Sequence, residues 1–180
     1  MSRPVGSGTP SGPRAIAAGA AFAAAVLLLS GCATAPPAPG PPDPEAPFAF
    51  RDPAFTLPAG ALGEEDAKRL ARGLSELKSG RTAEAAGHFR SGASGRTPLP
   101  FRLGLAYVDL ASGRAGPARA TLDAILKGAP AYVPAAEARA DLDAREGRFR
   151  ESFEAYRELV GVLPGDPRLS RRLGEARAGL

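Results

Sequence analysis

Few side chains in this sequence have the type and spacing to do chemistry. Cys32 is the sole cysteine and His88 the sole histidine among 180 residues. A structural zinc site or a thiol nucleophile draws on several such groups together, so neither is expected. Asp141 and Asp143 are two residues apart, which on a helix turns them to different sides. Glu64-Glu65-Asp66 reads as the acidic first turn of a helix, favoured by the helix dipole. Ser91-Gly92-Ala93-Ser94-Gly95 is a loop without the lysine or the strand of a phosphate cradle. The sequence therefore predicts no enzyme, no metal, no cofactor and no small-molecule substrate. What remains is Cys32, which cannot form an intramolecular disulfide. Its setting, Leu-Leu-Leu-Ser-Gly-Cys at 27–32 followed by prolines, points to a covalent handle.

The chain ahead of that cysteine is an address. Met1 to Arg14 carries two arginines and no acid, and Ala15 to Leu29 is an unbroken run of apolar or small residues. A basic segment, a short apolar core and small residues at the cut make a secretory signal. Fifteen residues fall short of the ~20 that span a bilayer as a helix. Leu29-Ser30-Gly31-Cys32 resembles the lipobox of bacterial lipoproteins. That resemblance implies cleavage before Cys32, a diacylglycerol on its thiol and an acyl chain on its new amine. Two or more chains make a stable membrane anchor where one would not. Ala33, in place of the Asp that retains enterobacterial lipoproteins in the inner membrane, favours the outer membrane, facing the periplasm. Removing residues 1–31 changes Lys plus Arg from 23 to 21 against 19 acids, a net charge of +2. Such a mixed surface predicts no nucleic-acid partner.

Residues 32–62 read as a lipidated N-terminus and proline-rich linker, with nine prolines between 36 and 58. Proline removes amide donors and fixes φ, so neither a helix nor a central strand forms there. Extended at ~3.1 Å per residue, the tract would reach up to about 90 Å. Within it, Phe48 to Leu57 carries three of the eight phenylalanines. These are expected to pack back on the nearest helices, because exposed phenylalanines are costly. The alternative is a short extended motif that docks in a groove, its own or a partner's.

From residue 63 the pattern is helices separated by glycine. Gly80-Arg81, Gly113-Arg114 and Gly147-Arg148 recur at spacings of 33 and 34. Seven residues before these glycines stand small residues, Gly73, Ala106 and Ala140, with Gly174 next in the series. Five after them stand Ala85, Ala118 and Ser152, and nine after them Phe89, Leu122 and Tyr156. The series resembles the tetratricopeptide repeat (TPR), a 34-residue helix–turn–helix. Ala85 with Phe89 matches its second helix outright, Ser152 with Tyr156 closely, and Leu173-Gly174 reproduces a pair of its first helix. The sequence departs from the pattern in lacking Trp, in Leu122 and in Gly116-Pro117. The fold predicted over 63–180 is all-α, a TPR-like α-solenoid of three helix–turn–helix repeats plus a C-terminal capping helix. Helices are drawn at 64–79, 82–92, 98–112, 116–127, 133–146, 148–163 and 167–178. Thr97-Pro98 and Asp166-Pro167 fit cap-then-proline starts. The rival fold is an irregular helical bundle. Arg168, Arg171, Arg172 and Arg177 suit the solvated outer side of a capping helix, with a basic binding patch as the alternative.

TPR arrays hold peptides or partner helices in a concave groove lined by the first helix of each pair. By facing, the groove candidates are Lys78, then Tyr107 and Leu110, then Glu137, Asp141 and Arg145. For each the bland alternative stands beside it: Tyr107 and Leu110 as core, the charged residues as solvated surface. The resemblances together imply a membrane-anchored scaffold of the bacterial cell envelope, recruiting protein partners in outer-membrane, pilus or cell-wall assembly. A structural accessory subunit without a peptide groove is the second expectation, and a small hydrolase or carbohydrate-binding module the third.

Overall fold

The computed structural model describes residues 50–180. Residues 1–49, and with them Cys32, the signal and Phe48, lie outside the described residues. Among the described residues the protein is all-α, with no strand. Its seven helices are α1 (Glu64–Lys78), α2 (Thr82–Ala93), α3 (Pro98–Ala111), α4 (Ala115–Gly128), α5 (Val133–Arg145), α6 (Phe149–Val162) and α7 (Pro167–Ala178). Each helix packs on the next in sequence, and α1 also packs on α3.

The helices stop where the sequence requires it. Gly80, Gly113 and Gly147 have φ of 76°, 71° and 75°, a conformation that costs an L side chain free energy and glycine none. The residue after each glycine closes the turn: Arg81 N–H reaches Glu76 O at 2.9 Å, and Arg114 and Arg148 reach Asp109 and Asp143 at 2.8 Å. These are the long bonds of a Schellman C-cap. Each arginine then folds its side chain onto the same residue's carboxylate. Arg81 bonds Glu76, Arg114 bonds Asp109 at 2.9 and 2.6 Å, and Arg148 bonds Asp143 at 2.8 and 2.5 Å. The turn motif is therefore acid-x-x-x-Gly-Arg, repeated three times. Only the Gly-Arg half was singled out in the sequence.

Packing follows the periodic small and large residues. Gly73, Ala106, Ala140, Ala85, Ala118, Ser152, Phe89, Leu122 and Tyr156 are all buried. Phe89 of α2 shows why the small residues are needed. A Cβ at Gly73 of α1 would stand 2.5 Å from its ring, and one at Gly104 of α3 would stand 2.6 Å away. The ring fills a slot that two glycines open between α1 and α3. Gly174 differs from its series: it is exposed, and no atom would lie within 4 Å of a Cβ there. Among the described residues nothing packs on that face of α7.

Two helix starts diverge. Asp166 caps α7 as expected, its carboxylate accepting from the amides of Arg168 and Leu169 at 3.0 and 3.2 Å. Thr97 makes no side-chain cap. Its hydroxyl donates instead to Ala61 O at 3.1 Å, tying the start of α3 to the segment before α1.

Candidate functional site

The chain before α1 does not leave the helices as a free linker. Phe50–Pro53 lies in a channel between α3, α5 and the start of α7, so part of the stretch expected as linker over 32–62 is packed chain at Phe50–Pro53, while residues 58–61 are exposed. The Phe50 ring meets Tyr107 of α3 with centroids 4.5 Å apart. Arg51 and Pro53 are buried while Asp52 between them is exposed, the alternation of an extended segment. Beyond Pro53 the chain turns, with Phe55 N–H on Asp52 O at 3.0 Å and Leu57 N–H on Ala54 O at 2.9 Å.

The channel reads this segment through both main chain and side chain. Tyr107 donates its hydroxyl to Arg51 O at 3.0 Å. Tyr132, which ends the loop before α5, donates to Pro53 O. Both phenols are pushed well above their ordinary pKa, first by burial, so they act as neutral donors. The Arg51 guanidinium enters between two acids. Its Nε bonds Glu137 of α5, and an Nη bonds Asp166 at 2.8 Å. The Phe55 ring lies 4.4 Å from its central carbon, a cation–π contact. Burial by itself would lower the Arg51 pKa; the bonds to Glu137 and Asp166 outweigh it and hold the group above the usual arginine value. Burial likewise opposes ionisation of Asp166, but Arg51 and the amides of α7 hold its pKa below the usual carboxylate range.

Glu137 is 1 % exposed, which an ionised carboxylate tolerates only with partners. Arg168 supplies the second: its Nε stands 2.5 Å from Glu137 Oε1 as a charge contact without hydrogen-bond alignment. One turn along α5, Asp141 accepts from the Tyr156 hydroxyl of α6 and lies 3.4 Å from Arg172 of α7. Burial raises the Asp141 pKa, and Tyr156 and Arg172 offset only part of that. A cavity of about 90 Å³ adjoins this pair, lined in part by Ser152, Tyr156, Arg172 and Glu175.

Of the six groove candidates, the structure brings four to this channel. Tyr107, Leu110, Glu137 and Asp141 line it together with Phe50 and Arg51, and all four are buried. All four face this channel, where the chain's own segment and α7 cover them. Lys78 is exposed at the end of α1 and does not line the channel. Arg145 is in the last turn of α5 and largely exposed, its pKa lowered first by partial burial, with Asp141 opposing and Arg172 adding to the lowering. The expectation of solvated arginines on α7 divides. Arg171 and Arg177 are exposed, whereas Arg168 and Arg172 turn inward to the acids of α5.

Sequence reasoning missed Arg51, Tyr132, Asp166 and Arg168 as members of one cluster. The available signal was charge balance: two inward acids on α5 need cations, and Arg51 is the one basic residue in the proline-rich tract between Cys32 and Lys68. Among the described residues no helix is long and apolar enough to cross a membrane, and no group of three or more His, Cys, Asp or Glu is placed to hold a metal ion. No protein family, curated protein or solved structure matches this chain.

Proposed function

We propose that this protein is a lipid-anchored scaffold of the bacterial cell envelope, fixed through acylated Cys32, whose helices form a TPR-like solenoid of three repeats capped by α7. The observation that carries the reading is the period itself. Nine small and large positions spaced 33 or 34 apart are all buried, and three identical acid-x-x-x-Gly-Arg turns separate paired helices. Each helix packs on the next and α1 also packs on α3, as the first two pairs of a stacked array do; between α3 and α5 lies Phe50–Pro53. α7 takes the place of a terminal cap.

Its role is binding rather than catalysis. The anchor, with diacylglycerol and N-acyl chains on Cys32, holds the domain at the membrane, with the outer membrane facing the periplasm as the favoured site. The partners are proteins of an envelope assembly, recruited by the concave side. Mass spectrometry of the mature N-terminus tests the first half: an unacylated, soluble chain would defeat it. Crosslinking in intact cells, comparing the wild type with a Tyr107, Asp141 and Arg145 triple variant, tests the second. An unchanged partner set would count against the groove.

One observation favours a second reading, a structural accessory subunit with no open groove: Phe50–Pro53 already fills the channel. On that reading the segment is a permanent part of the fold, and partners bind elsewhere.

A further inference from the structure

We propose that the channel is a peptide site held shut in cis, and that its ligand in trans is an extended segment of the same chemistry: an aromatic residue, an arginine directly after it, and a proline two residues after the arginine. The inference rests on the scaffold reading and names the ligand class of that groove.

The channel has the parts of a recognition site. Tyr107 and Tyr132 donate to main-chain carbonyls two residues apart, a contact available to any extended backbone. Selectivity comes from the side chains. Glu137 and Asp166 grip one guanidinium from two directions, a geometry that uses arginine's planar fork and that lysine lacks. Without a guanidinium, Glu137 would keep only Arg168, and Asp166 would lose its cation. Phe50 occupies the aromatic position against Tyr107. Pro53 occupies a buried position where the channel takes a carbonyl and needs no amide.

The occupant is also built to leave. Between Pro53 and the first helix, residues 58–61 and 63 are exposed, and Gly60 has φ of 79°. α1 begins only at Glu64, so withdrawal of Phe50–Pro53 unwinds no helix. A segment tethered this closely has an effective concentration on the order of 1 mM. A competing peptide of about 10 µM intrinsic affinity is then weakened about a hundredfold by the closed state.

The test uses the full chain in detergent and a fluorescein-labelled synthetic peptide copying Ala46 to Leu57, followed by anisotropy. The F50A/R51A chain, checked for helix by circular dichroism, is expected to bind this peptide about a hundredfold more tightly than the wild type. A peptide with glutamate at the arginine position is expected to bind neither. A folded variant that binds no better than the wild type, or equal binding of the glutamate peptide, overturns the proposal. If the variant loses its helical signal, the wild type decides. A peptide carrying benzoylphenylalanine at the Phe50 position must then label α3 saturably, and labelling scattered along the chain overturns the site. A wild-type dimer exchanging Phe50–Pro53 between copies would overturn closure in cis. Absence of lipid on Cys32, or of recruited envelope proteins, would defeat the scaffold reading and leave these titrations unaffected.

Discussion

Replacing Arg51 by methionine should destabilise the domain by about 3 kcal/mol, and replacing Glu137 as well should restore most of the loss. Arg51 is 8 % exposed, between Glu137 at 1 % and Asp166 at 17 %. Removing one partner of a buried pair costs about 3–5 kcal/mol, because the other charge stays buried without compensation. Here the lower end applies, since Arg168 remains 2.5 Å from Glu137. The melting temperature should fall by about 10 °C for a domain of this size. E137M alone strands Arg51 with Asp166 and leaves Arg168 facing apolar surface, at a cost of about 2–3 kcal/mol. The double variant R51M/E137M exchanges a charge pair for apolar volume and should lie within about 1–2 kcal/mol of the wild type. The coupling energy, about 3 kcal/mol or more, is read from urea unfolding of the four proteins at neutral pH. Hydrogen exchange supplies a local readout. The amides of Ala54, Phe55 and Leu57, bonded to Asp52 and Ala54, should lose protection in R51M while those of α2 keep theirs. Refutation would be an R51M protein within about 0.5 kcal/mol of the wild type, the range of an ordinary surface substitution, or costs that simply add in the double variant.

Further substitutions probe the array and its charges. Gly73→Ala gains about 1 kcal/mol of helix propensity but drives a methyl into the Phe89 ring at 2.5 Å. Overpacking of about 1–3 kcal/mol should win, and adding Phe89→Leu should recover part of the loss in thermal melts. Gly113→Ala, at φ 71° in open space, should cost about 1–2 kcal/mol of backbone strain alone. Arg114→Gln at the same turn breaks a largely exposed pair and should cost under about 1 kcal/mol. The two buried-site aspartates should show opposite pH slopes. Asp141 has a raised folded pKa, so its contribution is fully present below its unfolded value of 3.8 and is lost as pH rises through the folded value. Asp141→Asn should therefore improve relative to wild type as pH rises from about 4 toward neutral. Asp166 has a lowered pKa, so its contribution is present above 3.8 and lost as pH falls through the folded value. Asp166→Asn, which keeps a competent cap, should become relatively worse as pH rises through that acidic window. Slopes of the same sign in denaturant titrations between pH 3 and 7 would contradict one assignment, and both reversed would contradict the two.

What the sequence makes legible is what repeats. All seven helices stand within one residue of their expected bounds at both ends, because glycine, proline and apolar period act locally. The burial of Gly73, Ala85 and Phe89 was readable because their counterparts 33 and 67 residues on have similar sizes. The acids of the turns are equally periodic, at 76, 109 and 143, but an acid near a helix end has many ordinary uses and does not by itself mark a turn. The channel is of another kind. Arg51 meets Glu137 and Asp166 across 86 and 115 residues, with no periodic counterpart to reveal the match. Facing of Tyr107, Leu110, Glu137 and Asp141 follows from helical phase. What covers that face is a tertiary choice that phase does not encode.

The coverage matters because the same residues belong to two devices. Closed, Phe50–Pro53 is part of the domain, and Arg51 holds it there. Open, it joins the proline-rich tract that leads to Cys32. Four extended residues at ~3.1 Å each add about 12 Å to its reach. Binding of a trans segment in the channel and lengthening of the tether are then one event, and by linkage each favours the other. Tension that draws the N-terminal tract away from the helices should raise the channel's affinity for the peptide. If Cys32 carries the proposed anchor, a ligand in the channel should in turn free the domain to stand farther from it. On that proposal Glu137 and Asp166 would set both what the channel accepts and how far from the membrane it does so.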